Sequence, residues 1–179
     1  MTRLRDATRA AAGSLPLLLL ATLLATLAGP VGPPATVPPA GIDLKDQYGQ
    51  RHLLAFPRTN LLVISVADRE GSRQVPAWIE PLKARYGGRV VMEGVADVRK
   101  VPSFLRGMIE SKFRKQHPHP VMLDWTGEVS DQLGATKGVV TLLLVDLNGT
   151  PVARASGPAS TGGLDSFCQA IDRYLAPRP

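Results

Sequence analysis

The side chains able to do chemistry are few: one cysteine, Cys168, three histidines, and a charged run, Asp68-Arg69-Glu70-Gly71, followed by Ser72 and Arg73. Cys168 is the only candidate thiol nucleophile, and a reactive thiolate there would need nearby positive charge or a helix N-terminus. It lies four residues after Leu164 and three before Ile171, beside the apolar face of a helical pattern, where cysteine acts as a small buried hydrophobe. One cysteine excludes an intramolecular disulfide, a Cys-x-x-Cys redox pair and a multi-cysteine zinc site. His52, His117 and His119 are candidate transition-metal ligands, since converging imidazoles hold such ions well. The alternating prolines of His117-Pro118-His119-Pro120 make that segment extended and turn its two rings to opposite sides, so no metal and no cofactor is expected.

These residues must be positioned by elements that the apolar spacing reveals. Ile42 to Phe56 has apolar positions on either side of Tyr48-Gly49 and predicts a β-hairpin. Leu61 to Val66, LLVISV, is the continuous apolar run of a strand covered on both faces. Val75, Ile79, Leu82 and Tyr86 recur at helical spacing, and Gly87-Gly88 ends that helix. A strand from Arg89 to Val95 follows, then a helix over Val101 to Phe113 with Phe104, Leu105, Met108, Ile109 and Phe113 on its inner face and Arg106, Glu110, Lys112 and Arg114 toward solvent. Val121 to Leu123 is a short strand, Glu128 to Leu133 a helical turn or two, and Val139 to Val145 a further strand. Asn148-Gly149 predicts a two-residue hairpin turn into a strand over Pro151 to Ala155, and Leu164, Phe167, Ile171 and Leu175 mark the last helix. Alternating strands and helices argue for an α/β sandwich with a mostly parallel sheet and late antiparallel strands.

The ends of the chain carry a different message. Arg3, Arg5 and Arg9, the apolar run Leu15 to Leu27 and the small residues Ala28 and Gly29 have the three-part form of a secretory signal peptide over residues 1–29, with cleavage after Ala28. The run is shorter than the ~20 residues that span a bilayer, and Pro16 interrupts it, so no stable membrane span is expected after cleavage; retention as an N-terminal membrane anchor is the alternative. No cysteine follows the run for lipid attachment. The proline-rich stretch 30–41 predicts an extended linker outside the core, leaving one folded domain over residues 42–177. The formal charge of +6 is dispersed, with no aromatic-rich RNA motif or zinc-finger spacing, and nucleic acid is not expected as a partner. Trp78 and Trp125 are expected in the core; the basic run Lys112, Arg114, Lys115 after an amphipathic helix could touch anionic lipid, but three charges are few for that and a solvated face is expected. Asn148-Gly149-Thr150 matches a glycosylation sequon, against which Pro151 argues.

Pro120 to Gly157 resembles the C-terminal half of the redoxin branch of the thioredoxin superfamily: Asp124, Gly127, Gly134, Asp146, Gly149 and Gly157 fall where that branch expects them. Asp46-Gln47-Tyr48-Gly49 is similar to its entry hairpin, and LLVISV with the helix bearing Pro76 resembles its redox strand and helix. The resemblance implies a thioredoxin-like three-layer α/β/α fold with a central mixed β-sheet and an N-terminal β-hairpin. It also implies that the Cys-x-x-Cys of active members belongs at Asp68-Arg69-Glu70-Gly71, and a cis-proline at Val140 before Thr141. Neither is present, and a cis bond at a non-prolyl residue costs several kcal/mol.

The implied function is that of an exported, redox-inactive binding or assembly module, periplasmic or secreted, in a bacterial cell envelope. Its contact site is expected at Asp68, Arg69, Glu70, Gly71, Val140 and Thr141, with a protein partner. The start of a helix after a central parallel strand is also where α/β folds usually bind ligands, although Asp68 or Ser72 there can simply cap the helix. The alternatives are a one-cysteine thiol peroxidase or reductase working through Cys168, and a metal carrier using His52, His117 and His119.

Overall fold

The computed structural model describes Val37 and residues 41–176. The expected signal peptide and most of the proline-rich stretch lie outside the described residues. Among the described residues, seven strands and four α-helices follow in the order β1 (Ile42–Lys45), β2 (Arg51–Leu54), β3 (Leu61–Ala67), α1 (Val75–Tyr86), β4 (Val90–Asp97), α2 (Arg106–Gln116), β5 (Met122–Asp124), α3 (Glu128–Gln132), β6 (Thr141–Val145), β7 (Pro151–Ser156) and α4 (Thr161–Leu175). Five strands form one sheet in the order β5-β4-β3-β6-β7. β3 runs parallel to β4, and β4 to β5, whereas β6 is antiparallel to both β3 and β7, so the sheet is mixed. The β1–β2 hairpin is a separate two-stranded unit, joined to β5 by a bridge between Asp46 and Met122.

β3 is central because every one of its side chains is apolar or small and every one is buried. Its alternation divides the core in two. Leu61, Val63 and Ala67 meet Trp78, Leu82 and Tyr86 of α1 and Phe167, Cys168 and Ile171 of α4 on one face. Leu62, Ile64 and Val66 meet Ile42 and Leu54 of the hairpin, Met122, and Leu133 at the end of α3 on the other. β6 splits likewise, Leu142 and Leu144 to the first face and Leu143 and Val145 to the second. Both faces of the sheet are thus covered by residues of the compact unit Val31–Pro179 itself, which supplies a complete core for independent folding.

Four features depart from the sequence reading. Val37, in the stretch expected to stay outside the core, is buried in the second cluster. α2 belongs to neither cluster: Phe104 and Met108, expected on its inner face, are 83% and 59% exposed. Leu105, Ile109 and Phe113 of the expected inner face are half-buried, so α2 meets the body through a narrower stripe than its spacing predicts. Trp78 is buried, but Trp125 is only half-buried, with the Arg106 guanidinium 5.0 Å from its ring centre.

The connection from β6 to β7 is also longer than a two-residue turn. The Asp146 carboxylate accepts from the Asn148 N–H (2.9 Å) and the Thr150 N–H (2.8 Å), and a register shift follows at Leu144/Val145. An aspartate positioned to bind the turn's own amides outcompetes the Asn-Gly preference for a tight turn.

Candidate functional site around the start of α1

The loop that follows β3 begins with Asp68, half-buried at the C-terminal end of the strand. Its Oδ1 accepts from the Glu70 N–H (3.1 Å) and the Gly71 N–H (2.9 Å), fixing the 3-10 turn Gly71–Gln74 that leads into α1. Its Oδ2 accepts from the N–H of Gly138, seventy residues away, at 3.0 Å. Burial by itself raises the carboxyl pKa, but the N–H groups of Gly71, Gly138 and Glu70 together with the charge of Lys100 outweigh it and hold the group below the usual carboxylate value. Asp68 is therefore a carboxylate at neutral pH, and its bonds are to main chain on two sides of the site.

Gln74, which the sequence reading did not single out, completes the same junction. Its Nε2 donates to the Gly138 carbonyl (3.3 Å), and its Oε1 accepts from the Val140 N–H (3.2 Å). The Val140 carbonyl in turn accepts from the Gly157 N–H (2.9 Å) and the Ser156 hydroxyl (3.2 Å). Both main-chain polar groups of Val140 are occupied within the molecule. The cis peptide among the described residues is Phe56–Pro57, and the bond before Val140 is trans.

Gly71 is buried, and its φ is not in the left-handed region. The reason for glycine is contact: a Cβ there would stand 2.5 Å from the Val139 carbonyl carbon and oxygen and 2.9 Å from the Val140 nitrogen. The segment 138–140 thus occupies the space that any side chain at position 71 would need. Asp68, Gly71 and Val140 are brought together, but Gly71, Val140 and Thr141 are buried and form the floor of the site. Arg69, Glu70, Ser72 and Arg73 are exposed above it.

Beside this floor, a 220 Å³ depression is lined by Asp68, Asp97, Arg99, Lys100, Asp131, Thr136 and Lys137 among others. Arg99 organises it, donating to Asp97 Oδ1 (2.9 Å), to both oxygens of Asp131 (2.8 and 2.7 Å) and to the Gly127 carbonyl (2.8 Å). The hydrogen bonds to Asp131 and Asp97 push the guanidinium pKa up, and the same pairing with Arg99 lowers that of Asp131. Lys100 and Lys137 line the same depression with exposed side chains, giving it a basic rim.

The other candidates lie elsewhere. Cys168 is buried in the α1/α4 core, and its carbonyl accepts from the Tyr86 hydroxyl at 3.0 Å. His52 is hydrogen-bonded to Asp46 through Nε2 (2.8 Å) in the hairpin. His117 and His119 are exposed; their carbonyls accept from Nε2 of the buried Gln47 (3.2 and 2.8 Å), whose Oε1 accepts from the Val121 N–H (2.7 Å). The extended histidine-proline segment is thus held by a glutamine. Among the described residues, no group of three or more His, Cys, Asp or Glu side chains is placed to hold a metal ion, and no helix is long and apolar enough to cross a membrane.

No protein-family model matches the chain, and no curated protein matches it by sequence. Solved structures do match by shape. A proposed thiol:disulfide interchange protein, DsbE, from Chlorobium tepidum superposes with a TM-score of 0.58 at 19% identity, over 75% of this chain and 93% of that one. The exposed lipoprotein thioredoxin of Streptococcus pneumoniae strain TIGR4 gives 0.55 at 14% identity, over 74% and 98%. A thiol-disulfide oxidoreductase from Bacteroides fragilis gives 0.52 at 17%, over 73% and 96%. The chain has the thioredoxin-like fold, three layers around a mixed sheet with an N-terminal hairpin, and with a single cysteine it carries no Cys-x-x-Cys.

Proposed function

We propose that this is an exported, redox-inactive thioredoxin-like protein that works as a binding or assembly module in the bacterial cell envelope. The observation that carries the reading is the closure at Gly71: the 138–140 main chain lies where any side chain at position 71 would project, and Asp68 and Gln74 bind the amides of Gly138 and Val140. The site has exchanged a reactive pair for an internal clasp. The exposed charges above and beside it, Arg69, Arg73, Lys100 and Lys137 against Glu70 and the Arg99-paired Asp131, favour an acidic protein surface as partner. Export is supported by the basic-then-apolar pattern of residues 1–29, and one protein of similar fold is an exposed lipoprotein. A thiol enzyme working through Cys168 is disfavoured by its burial in the core.

Two experiments bear on this. Restoring both thiols with Asp68→Cys and Gly71→Cys is expected to give no insulin reduction, because the Cβ at position 71 meets main chain; reductase activity in that variant would show the clasp to be open. Reversing Arg69 and Arg73 to Glu is expected to abolish cross-linking to an envelope partner, while Cys168→Ala leaves it unchanged. Undiminished cross-linking in the charge-reversed protein overturns the proposed contact surface.

A further inference from the structure

Away from the clasp, the solvent-facing stripe of α2 is apolar at one end and basic at the other. Phe104, in the turn that enters the helix, is 83% exposed, and Met108, one helical turn on, is 59% exposed. Lys112 and Lys115 continue at i+8 and i+11 on the same stripe, and both are exposed. Leu105, Ile109 and Phe113, on the adjoining flank of the helix, are half-buried, as are Glu110 and Ser111. Arg106 to Lys115 holds four basic side chains against one acidic, Glu110. Arg106 and Arg114 fix the helix to the body, through the Trp125 ring and through a 2.7 Å bond to the Gln47 carbonyl.

We infer that this face of α2 docks on an anionic lipid surface, with Phe104 and Met108 entering the interface and Lys112 and Lys115 meeting the headgroups. A phenylalanine so exposed protrudes and does not line a groove, which suits a fluid interface better than a folded partner's pocket. A second copy would bring two basic faces together, and like charges oppose that contact. Lipid headgroups of negative charge satisfy both halves of the stripe at once. The inference uses no residue of the clasp and is independent of the partner proposed above.

The test is co-sedimentation of the Val31–Pro179 unit with vesicles of phosphatidylcholine alone and with vesicles containing an equal share of phosphatidylglycerol. Binding is expected on the anionic vesicles and to fall with added salt. A basic residue near such a surface is worth about fivefold in partitioning, so Lys112→Glu with Lys115→Glu is expected to weaken binding by more than about tenfold. Phe104→Ser with Met108→Ser is expected to lose binding while keeping the wild-type far-ultraviolet circular dichroism. Equal binding to neutral vesicles, no binding to either, or a wild-type dimer that the Phe104→Ser, Met108→Ser variant converts to monomer would overturn the inference.

Discussion

In Asp124-Trp125-Thr126-Gly127 the aspartate is fully buried, and its carboxylate accepts from the Gly127 N–H (2.7 Å), the Thr126 hydroxyl (3.2 Å), and the Ser130 N–H and hydroxyl (both 2.8 Å). In Asp68-Arg69-Glu70-Gly71 the aspartate is half-buried and accepts from three amides, one of them on the far loop. The two segments share a residue pattern and a bond from the Gly N–H to the Asp Oδ1. They differ in what glycine is for. Gly127 has φ +81°, a left-handed conformation that side chains disfavour, with the Arg99 guanidinium also against it, whereas Gly71 has no such φ and is required by the Val139–Val140 main chain alone. One segment closes on itself; the other holds together two parts of the chain seventy residues apart.

The largest effect is expected where the closed turn is broken. Asp124→Ala leaves two amides and a serine hydroxyl without their acceptor in a fully buried place, and each unsatisfied group costs about 1–3 kcal/mol. With partial rescue by water, a loss of roughly 3 kcal/mol in urea denaturation is expected. If Asp124→Ala costs no more than removal of the Asp68 carboxylate, burial is not what separates the two segments.

Gly71→Ala probes the long-range contact. The added methyl meets backbone that cannot rotate aside, and overpacking of this kind costs about 2 kcal/mol. A structural readout sharpens the prediction. Displacement of 138–140 should release the Gly138 and Val140 amides from Asp68 and Gln74, so their hydrogen exchange should accelerate while that of Ser130 does not. Unchanged protection at Val140 would mean that the loop holds its place without the clasp.

The same contrast governs what could be read in the sequence. β3, β6, α1 and α4 follow from continuous apolar runs or helical spacing, because each buries its face against whatever the sheet provides. The Gly-containing turn after Asp124 is legible because donor and acceptor lie within six residues, whereas at Asn148-Gly149 a turn is legible but its length, set by Asp146, is not. Gln74 has no local signature: a glutamine entering a helix becomes a clasp only when Gly138 and Val140 arrive, more than sixty residues later. α2 fails for the opposite reason. Its amphipathic spacing is real, but periodicity names a face without naming how much of it is covered: Leu105, Ile109 and Phe113 are half-buried and Phe104 and Met108 stay exposed.

The smallest effect, and the one with a defined pH signature, is expected from Asp68→Asn. The amide oxygen can still accept at the start of the 3-10 turn, but its NH2 cannot accept from Gly138, so one hydrogen bond to a charged acceptor is lost at a cost of about 1 kcal/mol near neutrality. The folded-state pKa of Asp68 is held below the ordinary 3.8, so the ionised group favours the folded state at every pH above that value. As pH falls below 3.8, the unfolded chain gains a proton before the folded one does, and the contribution disappears as the folded value is passed. Stability curves of the wild type and Asp68→Asn should therefore run parallel from neutrality down to about pH 5 and converge in more acid solution. Curves that stay parallel into strong acid would place the wild-type advantage in the neutral geometry of the loop, and the clasp would then not depend on the charge of Asp68.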